Sequence, residues 1–176
     1  MIRSNLNESA LIFSPPMHSY ESTLNETIPS VEFGYTAIRI YRSDELAGAQ
    51  LGYSVNPDGV SLIGQNDGDW HSNWLVIGNE ELCGEPIFID TSQPGFPVYN
   101  AMHGQGRWDP EPLAVSLAAL RESLSALAEI AKGREDPIAL EQNPLPEAER
   151  NGFLATVRRL NPGIDISFWE QLVSGE

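Results

Sequence analysis

Five leucines recur at helical spacing in the second half of the chain, directly after a region rich in β-forming residues. They are Leu113, Leu117, Leu120, Leu124 and Leu127, at successive spacings of 4, 3, 4 and 3 residues. This spacing places all five on one side of a helix, and that apolar side must be covered by another element. The stripe is short for a coiled coil, so packing against a sheet is the favoured interpretation.

Both ends of this helix carry end signals. Asp109 is a suitable N-cap, and Pro110 suits the first helical position because the amide hydrogen that proline lacks has no partner there. Gly133 is a typical C-terminal stop. We therefore expect a helix over residues 110–132, with Pro112 still inside its first turn.

The region before this helix predicts a sheet. Candidate strands lie at residues 31–41, 51–55, 60–64, 74–78, 86–90 and 97–102. The Asn-Pro-Asp-Gly sequence at 56–59 predicts a tight turn between the second and third of these strands. A polar connector with Gly84 predicts a second hairpin between the fourth and fifth.

Two more helices are expected near the C-terminus. The first follows Pro146 and ends at the Asn-Pro-Gly sequence of residues 161–163. Its aligned apolar residues are Phe153, Val157 and Leu160. Ser167 and Glu170 have the spacing of a capping box before a short last helix, from which Trp169 is expected to dock on the body.

These elements predict one α+β domain over residues 1–176, with a predominantly antiparallel sheet packed against helices. Its 176 residues are enough for one sizeable core. We divide it into an irregular N-terminal arm at 1–30, a core at 31–133 and a helical C-terminal extension at 134–176.

The formal net charge is −15, from 25 acidic and 10 basic residues. Such a field repels nucleic-acid phosphates and anionic membranes, so neither is an expected partner, whereas a basic protein would be attracted. The net negative charge is explained equally well if it merely keeps the chain in solution. The single Cys83 excludes an internal disulfide, and the apolar run at 10–13 is too short for a secretory signal, so a cytoplasmic location is expected.

Motifs for catalysis are missing from the sequence. There is no P-loop, no dinucleotide-binding glycine motif and no complete nucleophile elbow around Ser54. The Asp-Gly-Asp-Trp-His sequence at 67–71 offers alternate oxygens and one imidazole, but it lacks the register of a calcium loop, and a polar turn is favoured. Cys83, among acidic neighbours, is not expected to act as a nucleophile. No metal and no cofactor are therefore expected.

The segment at 100–108 lies between the last strand and the long helix. Gly104 and Gly106 allow tight turns there, and His103 is an acid/base candidate by residue type. The favoured interpretation is that His103 and Trp108 pack and hydrogen-bond to fix this crossover, because no partner carboxylate or nucleophile is identifiable.

Four segments, at 74–78, 84–90, 97–99 and 103–108, together resemble the SUKH superfamily, in that family's order. The family includes regulators of yeast cell-wall assembly and many bacterial immunity proteins, and the resemblance covers roughly residues 35–130. It implies a SUKH-like α+β fold, no established catalytic machinery, and binding of a cognate toxin. The chain departs from the family in lacking its usual helical Leu-Pro and Asn-Gly-Gly signatures before the first strand, and in its longer C-terminal extension, which raises the question whether the C-terminal helices replace the missing ones.

The leading expectation is a non-enzymatic protein-binding protein, an immunity protein that neutralises a basic toxin domain such as a nuclease. Its candidate partner-binding residues are Asp67, Asp69, Trp70, His71, Glu80, Glu81, Glu85, His103 and Trp108. Trp70 and Trp74 are candidate apolar anchors, with Trp74 favoured as a core residue and Trp70 left open. The alternatives are a scaffold that self-associates, with the chain forming a homo-oligomer, and a small hydrolase or metal-dependent enzyme that uses His71, Asp90 and His103.

Overall fold

The structure, a computed structural model, describes residues 28–174. Its strands are β1 Val31–Phe33, β2 Thr36–Ile40, β3 Trp74–Glu80, β4 Pro86–Asp90, β5 Val98–Asn100 and β6 Glu111–Ala114. Its helices are α1 Leu46–Ala49, α2 Leu117–Ala131, α3 Pro137–Gln142, α4 Glu147–Leu160 and α5 Ser167–Leu172. The predicted arm at 1–30 lies outside the described residues except for its last three positions.

The six strands form one sheet in chain order, and each strand runs antiparallel to the next. The predicted α+β class and antiparallel sheet are therefore confirmed. The hairpin of β3 and β4 is its centre, with Val76 opposite Phe88 and a register shift between Val76 and Gly78. Gly78 has no room for a side chain, because a Cβ there would stand 2.3 Å from the carbonyl oxygen of Arg39 on the neighbouring strand.

Alternation along the central strands gives the sheet two apolar faces. Ile87 and Ile89 point into the larger core, together with the buried residues of α2, α4 and α5. Phe88 and Val76 point to the other face, where Trp70 and Ala101 cover them. Both faces of the sheet are thus covered, which explains the nearly continuous apolar sequences of β3 and β4.

The helix with the leucine stripe begins later than predicted. Residues Glu111–Ala114 form the edge strand β6, and α2 begins after Ser116, whose hydroxyl accepts a hydrogen bond from the amide of Ala119 at 3.1 Å. Pro112 is tolerated in β6 because an edge strand leaves one side of its backbone unpaired. Leu113 is buried, but it belongs to β6 and not to the helix. The other four leucines of the stripe are buried on α2 as expected.

The turn predicted at 56–59 is confirmed, but the full strands predicted at 51–55 and 60–64 are not. The amide of Asn56 donates to the carbonyl of Val60 at 2.9 Å, next to an antiparallel bridge between Val55 and Ser61. Turns and isolated bridges form the rest of this region, which follows the short α1. The Gln50 side chain takes the place of a strand here, since its amide oxygen accepts from the amide of Val76 at 3.1 Å and its amide nitrogen donates to the carbonyl of Val76 at 2.9 Å. The strand predicted at 31–41 is also divided, into β1 and β2.

The C-terminal helices are confirmed, with two differences. The short α3, capped by the Asp136 carboxylate, was not predicted. Ser167 is the first residue of α5 and not its cap, and its amide donates instead to the carboxylate of Asp165 at 2.7 Å. Trp169 docks as expected, fully buried, and its indole nitrogen donates to the carbonyl of Leu113 at 3.0 Å. The extension therefore shares one core with the sheet. Within residues 28–174, no helix has the length and apolar character to cross a membrane.

Candidate functional site

The structure separates the candidate residues into two clusters near opposite ends of β3. The loop cluster precedes the strand and contains Asp67, Asp69, Trp70, His71 and Trp108. The turn cluster follows the strand and contains Glu80, Glu81, Glu85 and His103. Because β3 has seven residues, its ends are about 20 Å apart, so the nine residues do not form one contiguous patch.

The loop cluster joins two segments that are distant in sequence. The amide of Trp108 donates to the carbonyl of Gly68 at 2.8 Å, and Arg107 pairs with Asp67 at 3.3 Å. Gly68 has φ +85°, and a Cβ on it would stand 2.7 Å from the Cβ of Arg107. Glycine is required here by both backbone conformation and space. The expected packing of Trp108 is confirmed, since its ring lies 5.3 and 5.4 Å from those of Trp70 and Tyr53. His103 was expected to help fix this crossover, but its side chain is exposed and lies near Glu85, in the other cluster.

Trp70 is the centre of an aromatic cluster and not an exposed anchor. It is 1% exposed, and its ring lies 4.9–5.3 Å from the rings of Phe88, Tyr53, Trp108 and Trp74. The sequence could not decide this, because Trp70 stands in a polar stretch that packs only after the loop folds back on the sheet. Its proposed role as a contact for a partner is therefore corrected.

Trp74 packs against the core as expected, with its ring 5.0 Å from that of Phe88, but it is only half-buried. The exposed ring of His71 stacks on it, with ring centroids 4.4 Å apart. The aromatic cluster thus reaches the surface at His71 and Trp74. Its buried part, around Trp70, holds the two loop segments together.

The acidic residues of the loop cluster interact with neighbours of their own chain. Arg107 contacts both Asp67 and Asp109, the latter at 2.5 Å. Asp69 accepts hydrogen bonds from the amide and side chain of Asn66 at 2.8 and 3.0 Å. Arg107 compensates part of the negative charge of Asp67 and Asp109, whereas Asn66 is neutral and leaves the charge of Asp69 uncompensated.

Glu80 also has a structural task. It is 8% exposed, its two carboxylate oxygens accept from the amides of Leu82 and Cys83 at 2.8 Å each, and it accepts a further bond from the hydroxyl of Thr36. These bonds hold the β3–β4 turn, so Glu80 is corrected from a partner-binding residue to one that stabilises the turn. Cys83 is exposed and unpaired in the same turn.

The rest of the turn cluster is open to solvent. Glu81 and Glu111 are exposed, Glu85 is half-buried, and no ion pair within residues 28–174 joins these three carboxylates to a lysine or arginine. Leu82 and Met102 lie beside them and are 66% and 54% exposed. We call the exposed part of this turn and its neighbours the turn face: Glu81, Leu82, Glu85, Met102 and Glu111. Glu81 forms its border, on the side toward Tyr41.

Burial raises the pKa of the Glu85 carboxyl, and the neighbouring carboxylates of Glu80 and Glu111 raise it further. His103 acts in the opposite direction and lowers it. The turn face is therefore a place where negative charge is crowded and only partly solvated.

Sequence reasoning missed three members of this surface. Leu82 was visible as an apolar residue between acidic ones, and this is unusual for a solvated connector. Met102 and Glu111 gave no comparable signal, because they meet the turn only through the pairing of β5 with β4 and β6.

Comparison of the chain with protein-family models, with curated proteins and with solved structures gave no match. The resemblance to the SUKH superfamily therefore rests on the sequence segments that carry it.

The residues of the enzyme alternative are not brought together. His71 stacks on Trp74, which pairs with Asp90, whereas His103 lies near Glu85 at the other end of β4. Glu85 and Asp90 are about 16 Å apart along an extended strand. In the part of the chain that the structure describes, no group of three or more His, Cys, Asp or Glu side chains is placed to hold a metal.

Proposed function

We propose that this chain is a non-enzymatic protein-binding protein that neutralises a basic partner, as an immunity protein neutralises its toxin. The observation that carries the proposal is the turn face, where exposed apolar side chains stand beside carboxylates that no described lysine or arginine pairs with. The SUKH-like segments of the sequence point to the same class of function. A nuclease toxin is a suitable partner because proteins that bind nucleic acid carry basic surfaces.

The composition of the turn face suits a contact with a protein. Leu82 and Met102 provide apolar area that stabilises a complex when it is removed from water, and methionine adapts its shape to different partners. The surrounding carboxylates select for a basic partner, because a negative field accelerates encounter with a basic surface and disfavours an acidic one. The net charge of −15 extends this field over the whole molecule.

Capture from a lysate of the native host at low salt tests the proposal, with three forms of the chain as bait. The first is wild type, and the second carries Glu81→Gln, Glu85→Gln and Glu111→Gln. The third, a matched control, carries Glu32→Gln, Asp58→Asn and Glu122→Gln at exposed positions elsewhere. Both variants lose three negative charges, so they differ only in where the charge is removed.

Wild type and the control are expected to capture the same basic protein, and the turn-face variant is expected to lose it. Equal capture by both variants would remove the turn face from the proposal. Failure of every bait to capture a basic protein would contradict the proposed function itself.

A second function, as a self-associating scaffold, is favoured by a different surface. Leu51, Val60, Leu62 and Ile63 are 53%, 59%, 44% and 36% exposed in the irregular region before β3. Apolar side chains that cluster on a surface are typical of interfaces. Light scattering over a concentration series tests this function. A mass that rises with concentration in wild type, and that stays monomeric after Val60→Asp and Leu62→Asp, would support it; a monomer at every concentration would contradict it.

A further inference from the structure

A groove of about 490 Å³ opens beneath the turn face. It lies between the β3–β4 turn, the ends of β5 and β6, and helix α5. Its walls include Leu82, Met102 and Phe168, and three carboxylates, Glu80, Glu85 and Glu111, line it as well. No lysine or arginine is among the described residues that line it. Neutral polar side chains, among them Thr36, Ser167 and Gln171, also line the groove, so its walls are mixed and its charge is negative.

A buried acceptor without a donor lies in this groove. Asn100 is 5% exposed, and its side-chain oxygen has no hydrogen-bond partner among the described residues. Asn100 lines the groove from the helix side of β5, the side to which Val98 also points. Buried amide oxygens are nearly always paired with a donor, so an exception that lines a groove indicates a missing donor.

The other buried asparagine shows what the fold does elsewhere. Asn161 is 1% exposed, and its side chain makes three hydrogen bonds. It accepts from the amide of Val115 at 3.0 Å and donates to the hydroxyl of Ser123 and the carbonyl of Val157 at 3.2 and 3.0 Å. Of the two buried asparagines, only Asn100 has a side-chain oxygen without a donor among the described residues. The hydroxyl of Ser54 and one guanidinium nitrogen of Arg150 are also buried without a partner, but neither residue lines the groove.

The missing donor is expected to be a cation. Glu85 and Glu111 lie beside Asn100 in the groove. Burial raises the pKa of the Glu85 carboxyl, the carboxylates of Glu80 and Glu111 raise it further, and His103 lowers it. A positive group relieves this repulsion, whereas a neutral donor satisfies Asn100 alone. A guanidinium group offers five donors in one plane, so it can reach an amide oxygen and flanking carboxylates together.

We propose that this groove is a binding site for an arginine side chain of the protein partner. The amide oxygen of Asn100 is enclosed in the free chain, so the Asn100 side chain turns toward the groove on binding and its oxygen accepts from the guanidinium. Glu85 and Glu111 flank the guanidinium, and the apolar side chains of the walls pack on the aliphatic stem of the arginine. The inference rests on the proposed function for the source of the side chain. The groove itself is a property of this chain and is testable without the partner.

The test is an NMR titration of the isolated chain with butylguanidinium, which carries the head and stem of an arginine side chain. Butylurea is the neutral control, and butylammonium represents lysine. We expect butylguanidinium to shift the side-chain amide of Asn100 and the backbone amides of Leu82 and Met102, and butylurea to leave them nearly unchanged. Tighter binding of butylammonium would overturn the choice of arginine.

Three variants then test the assigned contacts. Asn100→Leu is expected to weaken binding about ten-fold, since it removes a hydrogen bond to a charged group. Glu111→Gln, at an exposed position that does not endanger folding, is expected to weaken binding about two- to five-fold. Glu122→Gln, an exposed acidic residue outside the groove, is the matched control and is expected to bind as wild type does.

Absence of shifts localised to the groove, or equal shifts with butylurea, would overturn the proposal. Equal weakening by Glu111→Gln and Glu122→Gln would show general charge attraction without a site, and would overturn it too. These outcomes are distinct from failure of the proposed function. A groove that binds no guanidinium leaves capture of a basic protein through the turn face intact, and guanidinium binding without any captured protein would support the groove alone.

Discussion

The two buried asparagines allow a direct comparison of stability, because the same substitution is expected to have opposite effects on them. Asn100→Leu removes an amide oxygen that has no donor, and an unpaired buried group of this kind costs about 1–3 kcal/mol. Leucine is larger than asparagine, so packing strain offsets part of the stabilisation that comes from removing the unpaired oxygen. We therefore expect the free energy of unfolding to rise by about 1 kcal/mol.

Asn161→Leu should act in the other direction. It removes three hydrogen bonds and leaves the amide of Val115 and the buried hydroxyl of Ser123 without their partners. With about 1–3 kcal/mol for each of these two groups, we expect the free energy of unfolding to fall by about 2–6 kcal/mol.

Urea unfolding followed by circular dichroism measures both changes through the transition midpoint, provided that the slope is unchanged. A gain at Asn100 together with lost guanidinium binding would show that the residue is kept for binding at the expense of stability. A loss of more than about 1 kcal/mol in Asn100→Leu would refute the reasoning, because it would mean that the amide is satisfied in the folded chain.

Three further outcomes are expected. Leu120→Ala, at a fully buried position on α2, should lower the free energy of unfolding by about 2–5 kcal/mol, and an unchanged urea midpoint would place the stripe outside the core. Trp70→Ala should cost about 3–5 kcal/mol and broaden the NMR signals of the Arg107–Trp108 segment, whereas sharp, unshifted signals would show that the ring does not hold that segment. Glu85→Gln should stabilise the chain near neutral pH, because the pKa of Glu85 is raised in the fold and its ionised form is disfavoured there; the gain should shrink as the pH falls toward the ordinary value of 4.5, and a gain that grows with acid would contradict this sign.

The sequence predicts the large elements of the fold well, because they are encoded locally. The leucine spacing identifies α2, and the apolar runs of β3 and β4 identify the central hairpin. The start of α2 was misplaced because Pro110 and Pro112 are compatible both with a first helical turn and with an edge strand. Only the pairing of β6 with β5 decides between these, and pairing depends on tertiary contacts.

The candidate site was less predictable, because the exposure of a side chain depends on which distant segments pack over it. Trp70 and Glu80 were good surface candidates by their neighbours in sequence, yet one is enclosed by four aromatic rings and the other by the amides of its own turn. The sequence shows Asn100 as a polar residue at the end of an apolar strand. That its side-chain oxygen lacks a donor among the described residues depends on tertiary contacts, which the sequence does not show.

The most direct test of the proposed function is the rate at which the captured partner associates with this chain, measured over a salt series. The same three forms are compared: wild type, the turn-face variant, and the control variant with the same net charge. We expect the association rate to fall with salt for wild type and the control. For the turn-face variant the rate should be slower and should fall less steeply, because the local attraction that salt screens is weaker. A rate that is independent of salt, or equal slopes for the two variants, would contradict electrostatic capture by the turn face.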